Sequence, residues 1–489
     1  MSDTVDALVR ATRGYVLAPA GYGKTEAIAL AITRDPTRRH LVLTHTHAGV
    51  HALTARLRRH GVGKRQARVD TIASFCLRWA ASYPAGSQLT TTEPQTTADW
   101  LHAYEAAQRL LTKTPMAQAI RASYDSIYVD EYQDCTRAHH ALVLALAELR
   151  PVRILGDPLQ GIFYFGSAHG DPIVDWDADV LPTFERLPPL GVPHRWHTSN
   201  PELGDWLVDA RARLIAGHPL DLNDAPVRLV AQDPAALVIE CRRSAGQDGR
   251  TAAIIDLPPR AHRAAKNVGG LYGCMEPMAC ADLLDAATHL EESLGSARAL
   301  ALTDIAAQCM SNTMGPLKAA RSRFARGEQA RPSTGAANRE ALLALNAVAT
   351  SGAPADMLNA LDQIRKLPKI KAYRHELLHE LRRTLRYSER HPDVPLRACA
   401  WRVRDITRRR GRRPMDRTVT RPLLVKGLEY DHAILLDAAS FTDSRDLYVA
   451  LTRGSRSLTL IGTPPALPPR TETVYSAGPG PSRSSQRVG

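Results

Sequence analysis

The chain has 489 residues, 44% hydrophobic and 23% charged, a globular balance with length enough for two or more cores. Lys and Arg number 63 against 50 Asp and Glu, and the net charge of +13 favours a polyanionic partner, either nucleic acid or an anionic membrane surface. Seven scattered cysteines without a Cys-x-x-Cys pair argue against zinc or iron–sulfur sites and suit a reducing cytoplasm. No apolar run approaches membrane-spanning length, and the first residues hold no signal core.

Met1 to Arg13 reads as a helix leading into a first strand. Gly14 to Leu17 is that strand, Ala18 to Gly23 a small-residue loop, and Glu26 to Ile32 a helix. The loop fits the phosphate-loop pattern, with Ala18 where the first glycine usually stands. Its backbone N–H groups, from Ala20, Gly21, Tyr22 and Gly23 onward, can cradle phosphates at a helix N-terminus. Lys24 can reach the β and γ phosphates, and the Thr25 hydroxyl can bind a metal ion. A second strand, His40 to Thr44, precedes a helix ending near Arg59. The histidines at 45, 47 and 51 lack a carboxylate or cysteine to complete a ligand set. Asp70 to Cys76 follows. Pro84 to Thr97 is polar and turn-rich, and Trp100 to Ala122 is helical. Ser126 to Val129 is a short buried strand that ends in Asp130 and Glu131. Asp130 can hold magnesium, because a hard cation at a phosphate site takes one or two carboxylates. Glu131 is placed to orient and deprotonate a water.

The run Asp130-Glu131-Tyr132-Gln133-Asp134 resembles motif II of the UvrD/Rep family of superfamily 1 DNA helicases. Acid pairs are common among ATPases; the added Gln133 and Asp134 are more specific. The resemblance extends from about Gly14 to Gly462, apart from a helical middle, and carries roles to matching positions. Thr44, His45 and Thr46 match a loop that touches single-stranded DNA, with His45 in place of the usual Phe. Exposed loop histidines without that role are the competing reading. Thr71 matches a further phosphate contact. Gln160, the last of the polar residues that end the strand Pro151 to Gln160, matches a sensor of the γ phosphate. Phe163 and Phe165, two of only six Phe in the chain, fall where the family stacks bases. No Gln precedes the phosphate loop, so the preference for ATP comes from the resemblance alone.

Asp171 to Asp179 reads as a solvated acidic loop, since Val180 and Arg186 stand where a calcium loop needs Gly and Glu. Leu187 to Pro193 is Pro- and Gly-rich and marks a boundary. Beyond it, the resemblance implies that His194 packs on the base and that Arg195 binds the γ phosphate from a second lobe. Strands are expected at Val227 to Val230 and Thr251 to Ile255, and an amphipathic helix at Ala279 to Leu294. Residues from about Ala297 to Arg413 are helical and rich in Arg, Ala and Leu. Their end carries Arg402, Arg404, Arg408, Arg409, Arg410, Arg412 and Arg413, either a solvated helix end or a patch for duplex DNA or a partner. Lys426-Gly427-Leu428-Glu429-Tyr430 matches motif V, with Gly427 and Glu429 as nucleotide contacts. Leu423 stands where many relatives have His. Leu447 to Arg453 matches motif VI, and Arg453 on its helix is the expected arginine finger.

The expected fold is α/β, with two RecA-like phosphate-loop NTPase lobes of parallel sheet and a helical insertion in the second. Lobe 1 spans residues 1–187, with a short helical insertion at about 84–122. Lobe 2 spans 188–296 and 414–463, the insertion 297–413, and residues 464–489 form a Pro-, Ser- and Gly-rich disordered tail. The resemblance implies a cytoplasmic, ATP- and Mg²⁺-dependent DNA helicase. Closure and parting of the lobes would move it 3′ to 5′ on single-stranded DNA and unwind tailed duplexes, in repair or recombination. The alternative is a DNA-stimulated ATPase or translocase working with a protein partner, such as a nuclease or repair factor, in a repair or anti-phage complex. No nuclease signature and no membrane partner are expected.

Overall fold

The computed structural model describes residues 1–94, 96–163, 171–233, 235–277, 280–410, 415–462 and 466–467; of 408–410, 466 and 467 only the backbone is described. The chain forms two compact units. Over the described residues, the first comprises Met1–Val227 and Phe441–Arg456, the second Arg228–Ser440 and the residues from Ser457 to Gly462.

Six strands make the sheet of the first unit: β1 Arg13–Leu17, β2 His40–Thr44, β3 Ala67–Thr71, β4 Ser126–Val129, β5 Val152–Gly156 and β6 Glu185–Arg186. Their order is β3-β2-β4-β5-β1-β6, and every neighbouring pair is parallel. The central strands β2, β4 and β5 are buried at every residue, as a sheet covered on both faces requires. One face packs Val5, Leu8, Ile28 and Ile32 against Val16, Val42 and Leu155. The other packs Phe75, Leu110, Ile120 and Leu142 against Leu41, Ile127 and Ile154. Parallel strands bring all their carboxyl ends to one edge, where such sheets carry their sites. The four adjacent strands β2, β4, β5 and β1 end there, at His45, Asp130, Asp157 and the phosphate loop.

The helical piece expected at Trp100 to Ala122 is two helices, Thr97–Leu111 and Thr114–Ser123, broken where Pro115 enters the first turn of the second. The acidic stretch expected to be a solvated loop is instead anchored. Asp175 caps a turn of π-helix, Trp176–Val180, whose Trp176 and Val180 are buried; Asp171 is buried and accepts the Ala138 N–H at 3.0 Å. Apolar residues within the acidic run decide this, and charge counting passed over them.

A second six-stranded sheet contains β7 Arg228–Val230, β8 Thr251–Ile254, β9 Gly273–Cys274, β10 Arg417–Thr420, β11 Tyr430–Leu435 and β12 Gly454–Ile461, in the order β9-β10-β8-β11-β12-β7. The β9–β10, β10–β8, β8–β11 and β12–β7 pairs are parallel. Beside this sheet the second unit carries seven helices between Ala281 and Arg410, with their own core of Leu302, Leu317, Leu345, Leu361, Leu381 and others. This core begins at Cys280, ahead of the expected start at 297. Leu283, Ala286, Ala287 and Leu290 of the Ala281–Glu292 helix are buried in it. Within it Arg404 donates to Glu380 at 3.0 Å, and Arg374 grips Glu276, just ahead of it in the chain, with two bonds of 2.6 Å. Arg404 therefore faces inward, while Arg402 is exposed. The side chains of Arg408, Arg409 and Arg410, and all of Arg412 and Arg413, lie outside the described residues.

The tail expected beyond 463 lies outside the described residues except for 466–467, which pair with Leu220–Asp221. All seven cysteines are free and buried. Among the described residues no helix is long and apolar enough to cross a membrane.

Candidate functional site

The loop after β1 turns through two left-handed glycines, Gly21 (φ 76°) and Gly23 (φ 84°). Gly23 caps the Lys24–Thr33 helix, so the loop's N–H groups and the helix N-terminus share one end. A Cβ on Gly21 would lie 2.5 Å from the Trp196 ring, which shows how closely the His194–His197 helix sits on the loop. Arg195 N–H also donates to Gly21 O at 3.1 Å. His194 is near Gly23: its ring carbon would lie 3.5 Å from a Cβ there.

Lys24 is buried, donates to Ala18 O at 3.1 Å and stands 3.9 Å from Glu131 Oε1. Thr25 Oγ1 donates to Asp130 Oδ2 at 3.4 Å, and Glu131 N–H donates to Asp130 Oδ1 at 3.0 Å. Glu131 occupies the left-handed region at φ 57°, a conformation worth about 1–3 kcal/mol of strain for such a residue. It turns the chain at the end of β4 and separates the two carboxylates. Burial, then the Glu131 charge, push the Asp130 carboxyl up to about 7, against the pull of Lys24. This excess of negative charge beside a hydroxyl and a carboxylate oxygen suits a hard divalent cation, and Thr25 and Asp130 fit a magnesium ion.

Behind the acids runs a hydrogen-bond chain that the motif strings contained but did not explain. Gln133 donates from Nε2 to Glu131 at 2.5 Å and accepts from Asp157 N–H at 2.9 Å. Asp157 in turn accepts from Gln160 Nε2 at 2.9 Å and from Arg211 at 2.7 Å. Arg211 sits on the Pro201–Ile215 helix, which no motif flagged. A cavity of about 380 Å³ opens beside it, between Ala20, Tyr22, Trp196, Leu207 and Tyr448.

Arg195 and Arg453, expected on a second lobe, fall within the first compact unit. The physical reason is packing: the His194–His197 helix docks on the loop, and the Ser444–Leu451 helix packs on the turn Pro158–Gln160. Arg195 donates to Thr452 O at 2.5 Å and lies over the Trp196 ring. Arg453 stands just past the end of its helix rather than on it. It is buried and donates to Val449 O at 2.7 Å and to Thr452 Oγ1 at 2.8 Å. Tyr448 on this helix accepts the Ala20 N–H at 3.3 Å.

The candidate DNA contacts are distributed unevenly. Thr46 caps the helix after β2 by accepting Gly49 N–H. Thr44 and Thr71 are buried, and Thr71 Oγ1 accepts from Ser74 N–H, capping the next helix. His45 packs edge-on to His139, 5.4 Å between centroids, with Nε2 3.4 Å from Cys135 Sγ. Phe163 is half-buried, and Phe165 lies outside the described residues. Gly427 (φ 76°) and Glu429 lie in the second unit just before β11; Glu429 is exposed, and its carbonyl accepts from Arg250 at 3.3 Å. In the same unit His262, Cys274 and Glu276 place ligand atoms within 4.8 Å of one another. Arg374 already supplies the positive charge at Glu276.

No curated protein matches the chain. Residues 93–180 match the family model described as the UvrD/REP helicase N-terminal domain. The match includes Asp130, Glu131, Gln133, Asp157 and Gln160, and its general class is a DNA-dependent nucleoside triphosphatase of the helicase kind. With that segment forming the middle of one of two six-stranded sheets, this part of the chain is similar to the UvrD-like superfamily 1 helicases.

Proposed function

We propose that the first unit binds ATP and hydrolyses it to drive 3′-to-5′ travel on single-stranded DNA and separation of a tailed duplex. The observation that carries this reading is the meeting of Lys24, Thr25, Asp130 and Glu131 at the carboxyl edge of β1 and β4, either side of β5, within 3.9 Å of one another in pairs. In this assignment the N–H groups of Gly21, Gly23, Lys24 and Thr25 cradle the phosphates, while those of Ala20 and Tyr22 are used within the protein, and Lys24 neutralises the β and γ oxygens. Glu131 takes the proton of the attacking water as the bond to the γ phosphorus forms and ADP leaves. Thr25 and Asp130 would hold a magnesium ion, which would offset charge on the phosphate oxygens when bound. Gln160 orients the water or senses the γ phosphate. Arg195 and Arg453 offset the charge that spreads over the transferring group. His194 packs on the base; Gly427 and Glu429, expected as nucleotide contacts, belong to the second unit and form no part of this assignment. Thr46, His45 and the Phe163–Phe165 segment contact the strand. Repair or recombination in the cytoplasm is the setting.

A second reading, an ATPase or translocase completed by a partner such as a nuclease, is favoured by the small insertion of the first unit, two helices between Thr97 and Ser123. Purified chain with ATP, magnesium and single-stranded DNA tests the common core of both readings. Stimulation of hydrolysis by DNA is expected; its absence would overturn both. Unwinding of a 3′-tailed but not a 5′-tailed duplex supports the first reading. Stimulated hydrolysis without unwinding at any salt concentration supports the second.

A further inference from the structure

Asp157 follows β5 directly and has no solvent exposure. A buried carboxylate persists only where partners replace the water it has lost. Its Oδ1 accepts from Arg211 Nη2 at 2.7 Å and from Leu159 N–H at 3.3 Å, and its Oδ2 accepts from Gln160 Nε2 at 2.9 Å. Gly156 makes room for this arrangement: a Cβ there would lie 2.8 Å from Gln133 Oε1, the atom that accepts the Asp157 N–H.

Direction matters in this chain of bonds. An ionised carboxylate only accepts, whereas an amide side chain has a donating end and an accepting end. Gln160 must therefore turn its nitrogen to Asp157 and its oxygen the other way. The same logic turns the Gln133 nitrogen to Glu131 and its oxygen to the Asp157 N–H. Arg211 occupies Oδ1 of this carboxylate, which leaves Oδ2 as the acceptor that the Gln160 nitrogen meets.

We propose that Arg211 is a positioning residue for nucleotide hydrolysis. By pairing with Asp157 it fixes which end of the Gln160 amide faces the phosphate site, presenting the oxygen to a water rather than the nitrogen to a phosphate. The proposal rests on the assignment of Glu131 and Gln160 to ATP hydrolysis.

The test uses the full chain with single-stranded DNA, measuring kcat and KM for ATP, equilibrium binding of a fluorescent ATP analogue, and melting temperature. Arg211→Met is expected to lower kcat about ten-fold or more while leaving analogue binding within about two-fold, and Arg211→Lys to recover most of the loss. Arg211→Met leaves a buried charge unpaired, so the Asp157→Asn/Arg211→Met double variant separates folding from positioning. It should melt near the wild type yet stay slow, because an Asn amide no longer dictates the orientation of Gln160. An Arg211→Met variant with wild-type kcat, or one that loses analogue binding with kcat intact, overturns the proposal. So does a double variant that recovers kcat together with its melting temperature. Wild type no faster than Lys24→Ala would instead sink the hydrolysis assignment itself, whatever Arg211 does.

Discussion

The phenol of Tyr448 accepts the backbone N–H of Ala20 across 428 residues of sequence, at 3.3 Å. The helix near the end of the chain therefore holds one amide of the phosphate loop near its start. Tyr448→Phe keeps the ring and removes the acceptor. It should lower stability by about 1–2 kcal/mol, since a buried N–H loses its partner. Chemical denaturation of the two proteins without nucleotide measures the difference.

Lys24→Ala and Glu131→Gln should both bring DNA-stimulated hydrolysis to background, a loss of at least about 10² in kcat. They should differ in binding. Glu131→Gln removes a negative charge beside the phosphate site and should retain ATP, whereas Lys24→Ala removes the nearest positive charge. Equilibrium titration with a fluorescent ATP analogue ranks them. The reverse order would refute the roles given to these two residues.

Asp130 gives the chain a pH dependence. Its folded value, raised to about 7, lies above the ordinary carboxylate value, so the folded protein holds a proton that the unfolded chain releases. This contribution to stability is complete below the ordinary carboxylate value and is lost as pH rises through about 7. In metal-free buffer, wild type should therefore lose stability between about pH 4 and pH 8 more steeply than Asp130→Asn, by an amount on the order of a few kcal/mol. Magnesium should close most of the gap at pH 8. Thermal melts of both proteins across that range, with and without the metal, report the difference.

Gly21→Ala tests the seat of the His194–His197 helix. The new Cβ meets the Trp196 ring at 2.5 Å in a left-handed backbone conformation. A cost of about 1–3 kcal/mol is expected, together with weaker nucleotide binding, because the loop must shift to relieve the clash. Melting and analogue titration on one preparation check both.

The conformations of the loop after β1 and of the turn after β4 were legible because they are set locally in the sequence. The loop from Ala18 to Thr25 and the run from Asp130 to Asp134 each announce their conformations by residue type and spacing. Glycines stand where the loop turns left-handed, and an apolar strand stops at acids. The sheet positions followed for the same reason, since the strands before them are continuous apolar runs. What escaped was long-range. Arg211 lies 54 residues from Asp157 on an ordinary amphipathic helix, and nothing in its neighbourhood marks it. The placing of Arg195 and Arg453 depends on which surfaces the Trp196 and Tyr448 side chains fill, and spacing does not encode that choice. Thr71, like Thr46, caps a helix with the hydroxyl that was read as a DNA contact, a use that residue type alone does not reveal. Trp176 shows a further failure, because one large apolar residue outweighed four acids around it.

The seven sealed thiols give the protein an experimental use. Burial raises each of them above the ordinary thiol range, so the thiolate that reacts with alkylating dyes is suppressed across the chain. A cysteine introduced at an exposed position, one in each unit, would be labelled by a maleimide fluorophore while the native seven stay dark. Energy transfer between two such dyes could then follow the distance between the units as nucleotide and DNA are added, on the unaltered native background.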